Sequence, residues 1–243
     1  MTPRILAAVA VRVLIQLRRD HRTLALLLVL PCLLITLLWW MFEDTPVFDQ
    51  VGPALLAMFP FIVMFLVTSV TTLRERSGGT LERLLAMPMA KLDFLLGYGV
   101  AFGVVAAVQS VLAVALSVGL LDLDVQGPVW LLTVVAVVDA VLGTALGLFV
   151  SAFAQTEFQA VQFMPAVVIP QILLCGLFLP RDQLPDVLEA VSDVLPLSYA
   201  VDAMQTLTET SDTADVWSDL AVVAAFAIAG LALGAATLRR RTS

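Results

Sequence analysis

The chain has 243 residues, of which 60% are hydrophobic and only 14% charged, with a mean hydropathy of +1.00. A soluble domain carries about 25% charged residues, so a globular core of this length cannot hide so much apolar surface and the solvent must be lipid. The net charge of -7, with its signs segregated along the chain, argues against nucleic acid as a partner.

Residues 1–22, "MTPRILAAVAVRVLIQLRRDHR", are too charged to span a membrane. At about 100° per residue, Arg4, Arg12, Arg18 and Arg19 fall within an arc of roughly 120°. That spacing predicts a helix lying in the inner interface with its arginines toward lipid phosphates; a plain positive flank is the alternative. No small-residue cleavage site follows the first apolar run, so no signal peptide is expected.

A hydrocarbon core of about 30 Å needs about 20 apolar residues as a helix. The runs Thr23–Phe42, Val51–Leu73, Leu95–Leu121, Val129–Ala154, Ala160–Leu179 and Val216–Leu238 qualify as spans. All thirteen Lys and Arg residues except Arg181 lie before the first span, between the second and third, or after the sixth. Positive residues mark the cytoplasmic side, so both termini and the link between spans two and three are predicted inside.

That link reads "RERSGGTLERLLAMPMAK" from Arg74 to Lys91. Gly78 and Gly79 break the second span, Thr80 is an N-cap, and Pro88 disfavours helix at Met87. The product is a short crosswise helix with Glu82 and Arg83 on one side and Leu81, Leu84 and Leu85 on the other. From the residues alone, this is equally a loop resting on lipid headgroups.

The segment "RERSGGTLERLLAMP" resembles the signature between spans two and three of ABC-2 type exporter permeases, the group that contains daunorubicin-resistance-type drug exporters. Arg74, Glu75, Arg76, Gly79, Thr80, Leu81, Glu82, Leu84 and Pro88 match it. "LPLSYAVDAMQ" (Leu195–Gln205) is similar to the element before that family's last span, and the layout agrees along essentially the whole chain. The resemblance implies an all-α integral membrane fold forming one permease domain over 1–243. It has an interfacial helix (1–22), spans one and two (23–73), a cytoplasmic coupling segment (74–91), spans three to five (95–179), an outer re-entrant segment (180–215), and span six with a cytoplasmic tail (216–243).

It further implies that Arg74, Glu75, Arg76, Gly79, Thr80, Leu81, Glu82, Arg83, Leu84 and Pro88 couple the chain to a separate ATP-binding subunit. A second permease protomer, identical or paralogous, completes the unit in the bacterial plasma membrane. The chain has no G-x-x-x-x-G-K-[ST] phosphate loop, so ATP and Mg are expected on the partner and the chain is not itself an enzyme.

Pro180 to Asp215 holds two helix-like pieces separated at Pro196. The resemblance makes them short helices dipping into the outer leaflet, with Pro196, Tyr199 and Asp202 at the outer gate. Helices lying on the outer surface are the alternative. Asp139, inside the fourth span, is an ionisable residue at costly depth and so a functional hypothesis. Pairing with Gln109 of the third span, a protonated donor role, or proton relay are its options. The spacings Gly99/Gly103, Gly143/Gly147 and Gly230/Gly234 permit close helix approach within one protomer. Pro165 and Pro170 predict a kink in the fifth span.

His21 is the only histidine, so no His-based metal cluster or triad is available. Cys32 and Cys175 sit in apolar runs and read as buried thiols, not as a disulfide or metal pair. No paired catalytic residues occur within spans, which argues against an intramembrane enzyme. The further alternative is an ATP-independent carrier or a structural membrane protein; a carrier of the common kinds would show repeated hydropathy halves or several intramembrane charges, and this chain shows neither clearly. A permease for a glycan or lipid-linked polymer would carry more aromatic stacking residues than this chain's two tyrosines and scattered phenylalanines. The expected cargo is an amphiphilic drug or lipid.

Overall fold

The computed structural model describes residues 3–43, 45–77 and 91–237. Regular structure there is entirely helical: α1 (Pro3–Arg19), α2 (His21–Met41), α3 (Val47–Ser77), α4 (Lys91–Gly119), α5 (Val129–Ser151), α6 (Glu157–Leu174), α7 (Asp186–Ser192), α8 (Pro196–Glu209) and α9 (Ala214–Thr237). A 3-10 turn, Arg181–Gln183, precedes α7. Six of the helices (α2 to α6 and α9) are long and apolar enough to cross a membrane, which bears out the six expected spans and the all-α class.

α1 is a helix separate from α2. Asp20 makes the break: its carboxylate accepts from the Thr23 N–H (3.2 Å) and the Thr23 hydroxyl (2.6 Å), capping the new helix. Val9, Ala10, Val13 and Leu17 of α1 are buried against Tyr98, Ala101, Phe102 and Val105 of α4 and Leu27 of α2. The helix therefore belongs to the bundle's packing on one face, as its apolar spacing requires.

The centre is α3 packed on α5. Their backbones nearly touch where Gly143 and Gly147 face α3: a Cβ on Gly143 would stand 2.4 Å from the Phe61 carbonyl oxygen, and one on Gly147 2.5 Å from that of Phe65. One small-xxx-small pair thus fixes the crossing. The Gly99/Gly103 pair does no such work, for a Cβ there meets only side chains at 3.5 Å and 3.8 Å. Around this axis Leu131, Leu132, Ala136, Leu142 and Ala145 of α5 pack with Leu56, Phe61 and Phe65 of α3 and with Ala200, Met204 and Leu207 of α8.

α6 is short. Its 18 residues make about 27 Å of helix that begins beside Arg74 of α3. The fifth span was expected to reach Leu179; instead the chain leaves the helix at Cys175 and turns through Gly176 at φ +92°. Beyond the end of α6, this position is filled by α8. At its inner end the Leu197 N–H donates to Gln171 Oε1 of α6 (3.4 Å), and the Ser192 hydroxyl donates to the Leu174 carbonyl (2.8 Å). At its outer end the Leu207 carbonyl accepts from the Gly127 N–H (2.8 Å). α7 and α8 are therefore a hairpin that returns into the bundle. The two expected helical pieces are α7 and α8, and Pro196 stands at their boundary as the first residue of α8, where the missing N–H costs nothing.

Candidate functional site

At the end of the bundle that carries the signature motif, the described part of that motif is tied down twice. Glu75, near the end of α3, is only 6% exposed. Arg12 of α1 donates from Nη2 to both its oxygens (3.0 and 2.9 Å), and Gln16 Nε2 donates to Oε1 (3.1 Å). The hydroxyl of Tyr98, fully buried on α4, lies against the same pair. Arg74, one residue earlier, points the other way and grips Glu157 of α6 through Nε (2.8 Å) and Nη2 (2.9 Å). The Arg74–Glu157 pair is bidentate, while Arg12 meets both Glu75 oxygens from one nitrogen; the less exposed Arg12–Glu75 pair carries more than the exposed one. Arg12 was expected to face lipid phosphates with Arg4, Arg18 and Arg19. It turns inward because an uncompensated carboxylate at Glu75 would be too costly.

Arg76 lies in the last turn of α3, its side chain outside the described residues. Gly79, Thr80, Leu81, Glu82, Arg83, Leu84 and Pro88 also lie outside them.

At the opposite end of the bundle, Tyr199 and Asp202 stand on α8 around Arg181. Arg181 Nη1 donates to Asp202 and Nη2 to Asp193, and its guanidinium sits 4.9 Å from the centre of the Tyr199 ring. The Tyr199 hydroxyl donates to the Asp193 carbonyl (2.8 Å). Burial opposes the Arg181 charge, but the Asp202 carboxylate and the hydrogen bonds to Asp202 and Asp193 outweigh it and hold the proton more tightly than usual. For Asp202 the balance runs the other way. Burial raises its carboxyl above the ordinary value, and Arg181 recovers only part. Pro196, at the inner end of α8, is buried. The group fastens three pieces together: the turn after α6, the end of α7, and α8.

Midway between, Asp139 and Gln109 are both fully buried, yet neither side chain makes a hydrogen bond among the described residues. Of the options open to Asp139, pairing with Gln109 is not formed among the described residues. The helices carrying them touch instead through the Ser110 hydroxyl, which donates to the Ala136 carbonyl (3.0 Å). No group of three or more His, Cys, Asp or Glu able to hold a metal occurs among the described residues.

Sequence reasoning missed Arg181, Arg12, Gln16 and Tyr98. Arg181 had a signal: a single positive charge amid acids on the outer face must find partners. Tyr98 had none, since a lone tyrosine in an apolar run looks like any other core aromatic.

The sequence has known counterparts. The chain is 28% identical over 171 residues to the probable multidrug ABC transporter permease YbhR of Escherichia coli, covering 70% of this chain and 46% of that protein. It is 25% identical over 147 residues to the inner membrane transport permease YhhJ of the same organism (60% and 39%). Over 157 residues it is 25% identical to ABC transporter G family member 20 of Dictyostelium discoideum (65% and 22%). The chain thus spans less than half the length of these relatives. The family description "ABC-2 type transporter" matches residues 5–207. With six apolar helices, a returning outer hairpin and that match over most of its length, the chain belongs to the ABC-2 type transporter family of membrane proteins.

Proposed function

We propose that this chain is the membrane-spanning permease of an ATP-binding cassette exporter. It moves an amphiphilic drug or lipid-like molecule outward from the cytoplasm or inner leaflet of a bacterial plasma membrane. One observation carries the reading: the base of the signature segment is anchored on both sides, by Arg12–Glu75 to α1 and by Arg74–Glu157 to α6. A push delivered to residues 78–90 therefore reaches three helices together, which is what coupling to a separate ATPase requires. In this reading Glu82 and Arg83 meet the ATPase, Leu81 and Leu84 seat the segment, and Gly79, Thr80 and Pro88 set its ends, with Arg76 beside them. ATP and Mg are held by that partner, and this chain hydrolyses nothing.

Pro196, Tyr199 and Asp202 belong to the outer gate. A second permease copy covers the apolar flanks of α2 and α6, where Leu33, Leu37, Trp40, Ile169 and Leu173 are exposed. The named function of YbhR, multidrug transport, agrees with an amphiphilic cargo.

The test is copurification of the chain with an ATPase subunit, followed by ATP turnover of the reconstituted pair. Glu82→Ala and Arg83→Ala should leave insertion intact, since exposed substitutions change stability within about 0.5 kcal/mol. Loss of a buried interfacial charge contact costs about 2–5 kcal/mol, so ATPase association should fall sharply. Pro88→Ala should shift the segment's seat and lower stimulated turnover. Wild-type association and turnover in all three variants would leave the segment as a membrane-surface loop.

A further inference from the structure

α8 enters the bundle from the Gly127 end and stops part-way. Its Leu207 carbonyl accepts from the Gly127 N–H, just before α5 (2.8 Å). Counted along the two helices from that bond, Pro196 of α8 and Asp139 of α5 both lie about 16 Å into the bundle. Gly143 and Gly147 of α5 lie against the Phe61 and Phe65 carbonyl oxygens of α3. Asp139 is one turn before Gly143 on the same face, so the same register sets it beside the Ala57 carbonyl. Leu132 and Val135 continue that face into the core shared with Ala200, Val201 and Met204 of α8. The end of α6 arrives at the same place. Gln171 Oε1 takes the Leu197 N–H and the Leu174 carbonyl takes the Ser192 hydroxyl, while the fully buried Cys175 lies within reach of the Asp139 charge.

We propose that Asp139 and the carbonyls that end α6 hold one small monovalent cation, and that this ion seats the α7–α8 hairpin from within the bundle. The site rests on the fold and not on the exporter reading.

The groups on offer are acceptors. Both Asp139 oxygens are buried without a hydrogen bond, and no charged side chain among the described residues offsets them. The turn through Gly176 returns no backbone N–H to the last turn of α6. The Cys175 thiol and the Ser192 hydroxyl reach the Ile172 and Leu174 carbonyls, which leaves those of Gln171 and Leu173 without a donor from the turn. The amino end of α8 does not compensate. Pro196 has no N–H, that of Leu197 donates to Gln171 Oε1, and that of Ser198 donates to the Leu195 carbonyl (3.2 Å). An anion therefore finds no donor here.

A carboxylate among carbonyl oxygens, away from water, is costly until a positive charge joins it. A proton would serve one oxygen. A cation takes the carboxylate and several carbonyls together, as interrupted helices do in other membrane proteins. One carboxylate balances one positive charge. A divalent ion would keep an uncompensated charge and ask for about six to eight oxygens.

The probe is sodium, exchanged for choline at constant ionic strength around the purified full chain. At ten times its half-saturating concentration sodium should raise the thermal midpoint by about 3–6 °C, saturably. Over the same range it should slow the reaction of Cys175 with a membrane-permeant maleimide about tenfold, read by mass spectrometry. Asp139→Asn keeps the shape and removes the charge, and should lose both effects; in choline wild type should have no advantage over it. Asp215→Asn, exposed at the start of α9, should keep both. The Cys175 protection is read on the unaltered chain, so the site is tested even where Asp139→Asn does not fold. Identical midpoints and Cys175 rates in sodium and choline overturn the proposal; stabilisation by acid in their place would mean that Asp139 carries only a proton. Sodium effects that survive in Asp139→Asn also overturn it, for the ion then sits elsewhere. An ATPase that never assembles with the chain would sink the exporter reading while leaving the sodium effects intact.

Discussion

Gly143 offers the sharpest test at the residue scale. Alanine is the better helix former by about 1 kcal/mol, so Gly→Ala in an open helix should stabilise. At Gly143 the new methyl would collide with the Phe61 carbonyl oxygen, which is backbone and cannot swing aside. Gly143→Ala should therefore destabilise by about 1–3 kcal/mol, while Gly103→Ala should be neutral or better. Thermal unfolding of the two variants in detergent reads the difference. Asp139 makes a second case. With no hydrogen bond to lose, Asp139→Leu should unfold no earlier than wild type and up to about 1–2 kcal/mol later. If transport then fails in Asp139→Leu but survives in Asp139→Asn, the residue is kept for work and not for packing. Earlier unfolding of Asp139→Leu would show a hidden partner. The sequence announced Asp139 plainly, because a carboxyl in "VVAVVDAVLG" is conspicuous. It gave no hint that Gln109, at a plausible depth, would not be its partner. Hydropathy places residues along a span but does not say which way they face.

Among the elements, α1 and the α7–α8 hairpin are each held by one arginine. Removing either end of the Arg12–Glu75 pair should loosen α1. Arg12→Ala and Glu75→Ala should be non-additive by about 1–3 kcal/mol in a double-mutant cycle on thermal stability, because both delete the same contact. Additive losses would mean that α1 is held by its apolar face alone. The Arg181 clasp adds a pH dependence. Asp202 takes up its proton at a higher pH than an ordinary aspartate, whose value is 3.8, because burial disfavours its charge. As pH falls through that raised value the pair with Arg181 is lost and Asp193 alone remains. Linkage has the opposite sense. A carboxyl raised in the folded state contributes stability that is present below the ordinary value and lost as pH rises through the folded one. The clasp is thus a lock and not a source of net stability. A cysteine at Ser198, on the buried face of the hairpin's own α8, should label from outside faster in mild acid, and faster at all pH values in Arg181→Gln. Equal rates for wild type and variant would remove the lock. The spans were legible from hydropathy, and α1 from its arginine arc. The clasps were not, since Arg12 meets Glu75 across 63 positions of chain and Arg181 meets Asp202 across 21.

For the molecule as a whole, topology comes first. Single cysteines at Thr45, Gln126 and Thr210, in a background without Cys32 and Cys175, should label from outside. One at Gln155 should label only after the cell is opened. External labelling at Gln155 would invert the bundle and end any coupling role for residues 74–91. The exposed apolar flanks of α2 and α6 belong at this scale too, for a second copy seated there would make Trp substitutions at Leu33 or Leu173 break the dimer without unfolding the protomer. The short α6 bears on how the protein is made. It is the least apolar of the six candidate spans, carries Pro165 and Pro170 inside it, and ends where the hairpin must later settle. A ribosome that has just delivered this segment presents the insertion machinery with a helix of marginal residence in lipid. It stays only if α3 is already in place to receive it, through the Arg74–Glu157 grip and the buried Ala160 and Val168. Biogenesis should then be ordered. Chains arrested just after Leu179 should hold the segment loosely and lose it when Arg74 is replaced, while chains released after α8 should keep it.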